Sequence, residues 1–416
     1  MKKHLRIITA LLSVSVILFG ALTFFTAQAL LSGRPKHKLE GDVTANPNYD
    51  PLTVGITSNE AGLMTQNIWD DKIGAFRTCT RKEAPDHWRV AFVEDNTMML
   101  WAMSKGMYKW SHHQGYGAAT RDFILKNIKD ELKGTFYMGE YSGASDNTFV
   151  KTVDTPDGLP FVFEDPYVPF MPLWGVVVYT MAYPNQDGQY PASYYQNYIS
   201  LMLENEYKLV GDSEFPKENT TSSLGFFMAS CANWYKFTGE QRFYDYAQKT
   251  FEIIKTRVND DGLIREAPSG AVNPLRHIQT VWALFESHRS GLKIDGLYEL
   301  YENTRDYMKI SKDGKGIYLV TDSRSNRFDD SNCTQLQIAY GYYALAQESA
   351  DGEAFAHAYK TMEENRLNIG TESQPFYAYS TWVTTPEGEN RGTGTIEGNS
   401  MAFLTEWWNS MLNDTK

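Results

Sequence analysis

The sequence predicts an all-α protein made of helical hairpins repeated in a closed or stacked array, and three observations lead there. Helical hydrophobic periodicity recurs at about 58–69, 95–108, 118–131, 173–184, 192–209, 221–238, 240–257, 274–290, 295–309, 331–349, 352–366 and 397–412. Helices that are apolar nearly all round alternate with helices apolar on one face only. Short connections alternate with long ones at intervals of roughly fifty residues, the mark of an internally repeated helical fold.

The chain opens on a segment that does not belong to that repeat. Lys2, Lys3 and Arg6 precede an uncharged, mostly apolar stretch from Ile7 to Gly33, the pattern of an export signal or a membrane anchor. Its length suffices to span a bilayer as a helix, and Thr26-Ala-Gln-Ala29 also offers small residues for cleavage, so residues 1–33 stand as signal peptide or signal anchor. Either form places the body outside the cytoplasm, and an uncleaved one makes the membrane a partner. Residues 34–57, rich in Pro and Asn, form a polar tether. Residues 58–416 are then one helical domain.

Within that domain, Glu240–Val258 sets Phe243, Ala247, Phe251, Ile254 and Val258 on one side, as a helix with one face in water does. The preceding Ser222–Tyr235 is apolar or small on every side and reads as fully buried, so an outer helix follows an inner one. The same contrast separates 95–108 from 118–131, 274–290 from 295–309, and 331–349 from 352–366. Inner-to-outer turns such as Phe237-Thr-Gly-Glu240 are short, and no run of alternating strands competes with the helices. The long connections, 70–94, 132–172, 258–273, 310–330 and 367–396, all run from outer to inner helices and so gather at one end. Loops of that length inside a compact domain are commonly functional.

Those connections deliver Glu94 and Asp95, Glu164 and Asp165, Glu266, Arg276 and His277, Asp329 and Asp330, and Glu397. Aromatic residues arrive with them, among them Trp88, Trp174, Trp282 and Trp382. Rings stack on the apolar faces of sugars and carboxylates accept hydroxyl hydrogen bonds or move protons, so the end reads as a carbohydrate site; core packing is the plain alternative for the rings. Paired acids open two inner helices, at Phe92-Val-Glu-Asp-Asn and Phe328-Asp-Asp-Ser-Asn. A single acid would cap a helix; a second one asks for a further role. Adjacent carboxylates do not face each other well, so the expected catalytic partnership is Asp95 with Asp330, assisted by Glu94 or Asp329. Trp88, Glu164, Asp165, Trp174, Trp382 and Glu397, the last behind Gly392-Thr-Gly-Thr-Ile396, are expected to bind substrate. Arg276 and His277 suit a uronate carboxylate, or with Asn273 and Tyr340 a lyase or epimerase; a hydrogen-bonded rim histidine is the structural alternative.

Twelve alternating helices with acids at the inner ones resemble the six-hairpin, (α/α)6-toroid glycosidases and their related lyases and epimerases. Glu94-Asp-Asn-Thr-Met-Met-Leu-Trp-Ala102 resembles the Asp-Asp-Asn-x-Trp-Trp-x-x-Ala motif of the bacterial endo-α-1,6-mannanases, with Glu94 for the first acid and Met98 and Met99 for the Trp pair. The resemblance implies an (α/α)6 toroid of alternating inner and outer helices behind the export helix, with catalytic paired acids.

Composition narrows the partners. Net charge is −12 although residues 1–38 hold six Lys/Arg and no acid, so the body is strongly acidic and unsuited to nucleic acid. The aromatic share is 14 %, with 26 Tyr and 10 Trp, which suits a carbohydrate substrate. Three cysteines, Cys79, Cys231 and Cys333, do not make a disulfide scaffold. No metal or other cofactor is called for: Asn259-Asp-Asp-Gly262 reads as a turn rather than a calcium loop, His112-His113 lacks an HExxH context, and no phosphate cradle or Gly-x-Ser-x-Gly elbow occurs. Three functions stay open at this point. They are an extracytoplasmic glycoside hydrolase using paired carboxylates, a polysaccharide lyase or epimerase, and a non-catalytic glycan-binding or scaffold protein of an envelope-polysaccharide assembly.

Overall fold

The computed structural model describes residues 69–71, 73–77, 90–106, 114–131, 135–136, 139–141, 152–154, 160–162, 170–214, 219–305, 308–310, 316–320, 325–329, 366–368 and 377–379. The export segment, the tether and the expected helices at 331–349 and 397–412 lie outside these residues, as do those at 58–69 and 352–366 except for Trp69 and Arg366, which are in strands. Among the described residues no helix is long and apolar enough to cross a membrane.

Eight described helices form four hairpins. They are α1 (Val93–Gly106) with α2 (Gln114–Lys126), α3 (Met171–Ala182) with α4 (Ala192–Tyr207), α5 (Thr221–Thr238) with α6 (Gln241–Lys255), and α7 (Pro274–Arg289) with α8 (Leu297–Arg305). The odd-numbered helices pack on one another in succession, α1 on α3, α3 on α5 and α5 on α7, and each carries its even-numbered partner on the outside. Local sequence explains both kinds. In α5 every residue from Thr221 to Ala232 is buried, whereas α6 buries only Phe243, Ala247, Thr250, Phe251 and Ile254. Pro172 and Pro274 sit in first turns, where a missing N–H costs nothing. Gly239 closes α5 at φ 74°, its N–H donating to Tyr235 O, a conformation that favours glycine.

The inner helices approach closely at two small residues. A Cβ on Gly175 of α3 would lie 2.6 Å from Thr97 Cγ2 of α1, and one on Gly225 of α5 would lie 2.9 Å from Ala283 Cβ of α7. Deeper in, one aromatic ring from each inner helix meets the others. Trp101 stacks on Trp174 (centroids 5.5 Å apart, 24° between planes), and Trp282 meets both edge-on at 5.1 and 4.6 Å. Phe226 closes the group at 5.6 Å from Trp174 and from Trp282. Contact between the first and fourth inner helices requires these side chains to point at the centre of the arc, so they form a plug on its axis.

The absence of competing strands does not hold. Thirteen short antiparallel strands occur among the described residues: β1 (Trp69–Asp70) with β2 (Ala75–Phe76), β3 (Val90–Phe92) with β6 (Gly139–Tyr141), β4 (Ile128–Asp130) with β5 (Thr135–Phe136), β7 (Thr152–Asp154) with β8 (Pro160–Val162), the meander β9 (Met308–Ile310), β10 (Gly316–Val320) and β11 (Ser325–Asp329), and β12 (Arg366–Asn368) with β13 (Tyr377–Tyr379). At two to five residues each they are too short to show a period of two in the sequence. β1–β3 precede α1, β4–β8 lie between α2 and α3, and β9–β11 follow α8, whereas the α6–α7 connection holds only an isolated bridge between Val258 and Ile264.

Candidate active site

β3 runs without a break into α1, so Glu94 and Asp95 fall on the first turn of that helix. The free N–H groups and the positive end of the helix dipole favour carboxylates there. Asp95 is 7 % exposed and Glu94 is half-buried. The next residue holds them in place. Asn96, fully buried, accepts a hydrogen bond from Phe76 N–H (2.9 Å) and donates to the carbonyls of Phe76 (2.9 Å) and Phe92 (2.8 Å). One amide thus ties β2, β3 and α1 together directly beside the two acids. Met98 and Met99, at the positions of the Trp pair in the resembled motif, are core residues.

A second group lies between α5 and α7. The connection from α6 to α7 turns at Asn259, whose Oδ1 accepts from Leu263 N–H (2.8 Å), with Gly262 at φ 80°. It then pairs with the start of α5: Thr221 N–H donates to Glu266 O (2.9 Å) and Thr221 Oγ1 to Arg265 O. Glu266 Oε1 accepts from Ser222 Oγ (3.0 Å) and lies 3.9 Å from Arg276 Nε. Glu266 Oε2 is buried with no hydrogen-bond partner among the described residues. Burial raises the Glu266 carboxyl above its ordinary pKa, against the opposing pull of Ser222 and Arg276. Arg257, beneath it, donates to Asn219 O and to Thr221 Oγ1 (3.2 Å). Glu266 is therefore a carboxyl biased toward its protonated form at the mouth of two inner helices. The sequence showed it arriving at this pole, but its partner Ser222 looked like one more small residue of a buried helix.

His277 is the hydrogen-bonded structural residue of the alternative reading, placed in the interior and not at the rim. It is 1 % exposed, its Nδ1 accepts from Ile264 N–H (3.1 Å), and its Nε2–H donates to Thr304 O (3.0 Å). Burial lowers its pKa to about 4, so it is a neutral pin joining the α6–α7 connection, α7 and α8 rather than a rim or substrate-binding residue. Arg276 stays half-exposed, with its N–H capped by Asn273 Oδ1 (3.2 Å) and its Nη1 on Gln279 Oε1 (2.9 Å). Trp174 is also corrected: it is fully buried with its ring engaged by Trp101, Phe226 and Trp282, so it belongs to the plug and is not an exposed platform. Asp329 ends β11, which lies against α7. Trp88, Glu164, Asp165, Asp330, Tyr340, Trp382 and Glu397 lie outside the described residues. Among the described residues no cluster of three or more His, Cys, Asp or Glu side chains could hold a metal ion.

No protein-family model matches the chain, and no curated protein matches it. Solved structures do. The chain is similar to a cellobiose 2-epimerase from Spirochaeta thermophila (TM-score 0.59, 12 % identity, 88 % of this chain and 96 % of that one). It is similar also to a family 76 glycoside hydrolase from a bovine Bacteroides thetaiotaomicron strain (TM-score 0.53, 10 % identity, 88 % and 78 %). A third likeness is to an inactive variant of an α-1,6-mannanase of Salegentibacter sp. HEL1_6 in complex with α-1,6-mannotriose (TM-score 0.50, 13 % identity, 87 % and 100 %). At these identities the likeness shows the fold, the six-hairpin (α/α)6 toroid.

Proposed function

We propose that this chain is a glycoside hydrolase that acts outside the cytoplasm on an oligosaccharide or polysaccharide, with Asp95 and Glu94 at the centre of its chemistry. The observation that carries the reading is a pair of consecutive carboxylates on the first turn of an inner helix, fixed by Asn96 at the pole of the long connections. The mannanase variant described as inactive is one in which two consecutive aspartates are replaced, which supports a reacting role for consecutive acids on this fold. The apolar stretch behind Lys2, Lys3 and Arg6 supports the location.

Hydrolysis needs one carboxyl to protonate the leaving oxygen and a carboxylate to activate water or attack carbon. Asp95, at a helix N-terminus, suits the ionised role. Two groups suit the acid: Glu266, which burial favours in its protonated form, and Asp330, which follows the last residue of β11. An epimerase or lyase using His277 as its base is disfavoured, because both ring nitrogens are engaged inside the protein.

The test is reducing-end release from α-1,6-linked manno-oligosaccharides and from cello-oligosaccharides by the wild type and by Asp95→Asn, Glu266→Gln and Asp330→Asn. A loss of about 10²–10⁴-fold in turnover with ligand binding retained supports the assigned roles. An epimerised product without new reducing ends overturns the hydrolase reading, and binding without any turnover by the wild type hands the fold to the scaffold reading.

A further inference from the structure

The opposite pole, where the four inner helices end, holds a cavity of about 270 Å³. Its wall begins one to two turns beyond the plug: Ser104 follows Trp101 by three residues, Val178 follows Trp174 by four, Glu286 follows Trp282 by four and Asn233 follows Phe226 by seven. Those spacings keep each wall residue on the face that carries its ring, so the cavity shares the axis with the plug and lies on its far side.

The serine hydroxyls and the Asn233 amide of the wall donate back into their own helices. Ser104 Oγ–H is used on Trp101 O (2.5 Å), Ser290 Oγ–H on Ser287 O (2.6 Å), and Asn233 Nδ2–H on Ala229 O (2.8 Å), so these side chains have acceptor oxygens to offer. Glu286 is 4 % exposed, and its Oε1 has no hydrogen-bond partner among the described residues; Arg289 Nη1 is 3.9 Å away. Four helix C-termini add negative potential. All of this asks an occupant for hydroxyl or ammonium protons. Lys236 and Arg289, also on the wall, oppose a bare cation and offer N–H groups to acceptor oxygens. A neutral molecule carrying both donors and acceptors meets both demands, and Val178, Met181 and Ala182 provide an apolar strip for its C–H face. The volume lies just below the roughly 300–1,000 Å³ of pockets for drug-sized ligands, which matches a single sugar ring.

We propose that this cavity is a second ligand site, for a neutral polyhydroxylated molecule of pyranose size, held by a hydroxyl donating to Glu286 Oε1. The plug separates it from the candidate active site, so the assignment stands independently of the hydrolase reading. The test uses the full chain with D-glucose, D-mannose and D-galactose, reading the methyl resonance of Met181 by NMR. At least one sugar is expected to shift that signal saturably. Glu286→Gln, which replaces one of the two acceptor oxygens by an N–H donor, is expected to weaken the binding about tenfold or more. Ala182→Trp, at an exposed position on the rim, is expected to abolish the shift. A Met181 signal that none of the three sugars moves overturns the proposal, as does a shift that survives Ala182→Trp, or one produced by methylammonium and by no sugar. Failure of the hydrolase reading would appear in the turnover of Asp95→Asn and would leave the Met181 titration as it is.

Discussion

Where the inner helices end, the chain reverses within a few residues, helped by left-handed glycines at 239, 291 and 296. Where they begin, it spends β-ribbons on the entries to α1 and α3 and side-chain networks on those to α1, α5 and α7: Asn96 across β2, β3 and α1, and Thr221, Ser222, Glu266 and His277 across α5, α7 and α8. Ordering long connections costs about 1–2 kcal/mol of backbone entropy per residue, so they need their own hydrogen bonds to stay put. One pole closes the hairpins around a small cavity. The other is built to hold carboxylates in fixed positions.

That contrast can be broken in stages. The largest effect is expected from Asp95→Asn, a turnover loss of about 10²–10⁴-fold with the circular dichroism and melting curve of the wild type, since only the acid pole is altered. Next is acid sensitivity. His277 has its folded pKa lowered to about 4 from an ordinary 6.5, so the unfolded chain takes the proton first. Its contribution is complete above about pH 6.5 and is lost as pH falls toward about 4, an effect on the order of 3 kcal/mol. Denaturant titrations across that window check it, and His277→Gln should flatten the pH dependence. Asn96→Ala leaves the buried Phe76 N–H without its acceptor and should cost about 1–3 kcal/mol in the same titrations. Gly175→Ala forces a methyl group against Thr97 and should cost a similar amount, about 1–3 kcal/mol, while displacing α1 and slowing turnover as well. The smallest effect belongs to the outer surface: Arg242→Gln removes exposed pairs with Glu204 and Glu240 and should change stability by about 0.2–1 kcal/mol.

Much of the architecture was readable from pattern alone. The all-round apolar Thr221–Thr238 and the one-sided Gln241–Lys255 revealed an inner and an outer helix, because burial on every side and burial on one side leave different periodicities. The gathering of acids at one pole followed from connection lengths. The strands did not show, since two- or three-residue ribbons carry no countable alternation. Trp174 and His277 were misread for a related reason: both sit in first turns of inner helices, and sequence places a residue at a helix start without saying whether its side chain faces the mouth or the interior. Asn96 was visible only as the third residue of Glu-Asp-Asn, and its three hydrogen bonds depend on a hairpin twenty residues upstream.

The ring of Trp101, Trp174, Phe226 and Trp282 also sets a depth limit between the four described inner helices. Among the described residues, packed aromatic side chains close the space between the four inner helices and form a floor there. A ligand reaching these four helices from the acid pole therefore meets packed rings, not an opening, and has to turn back along the way it came.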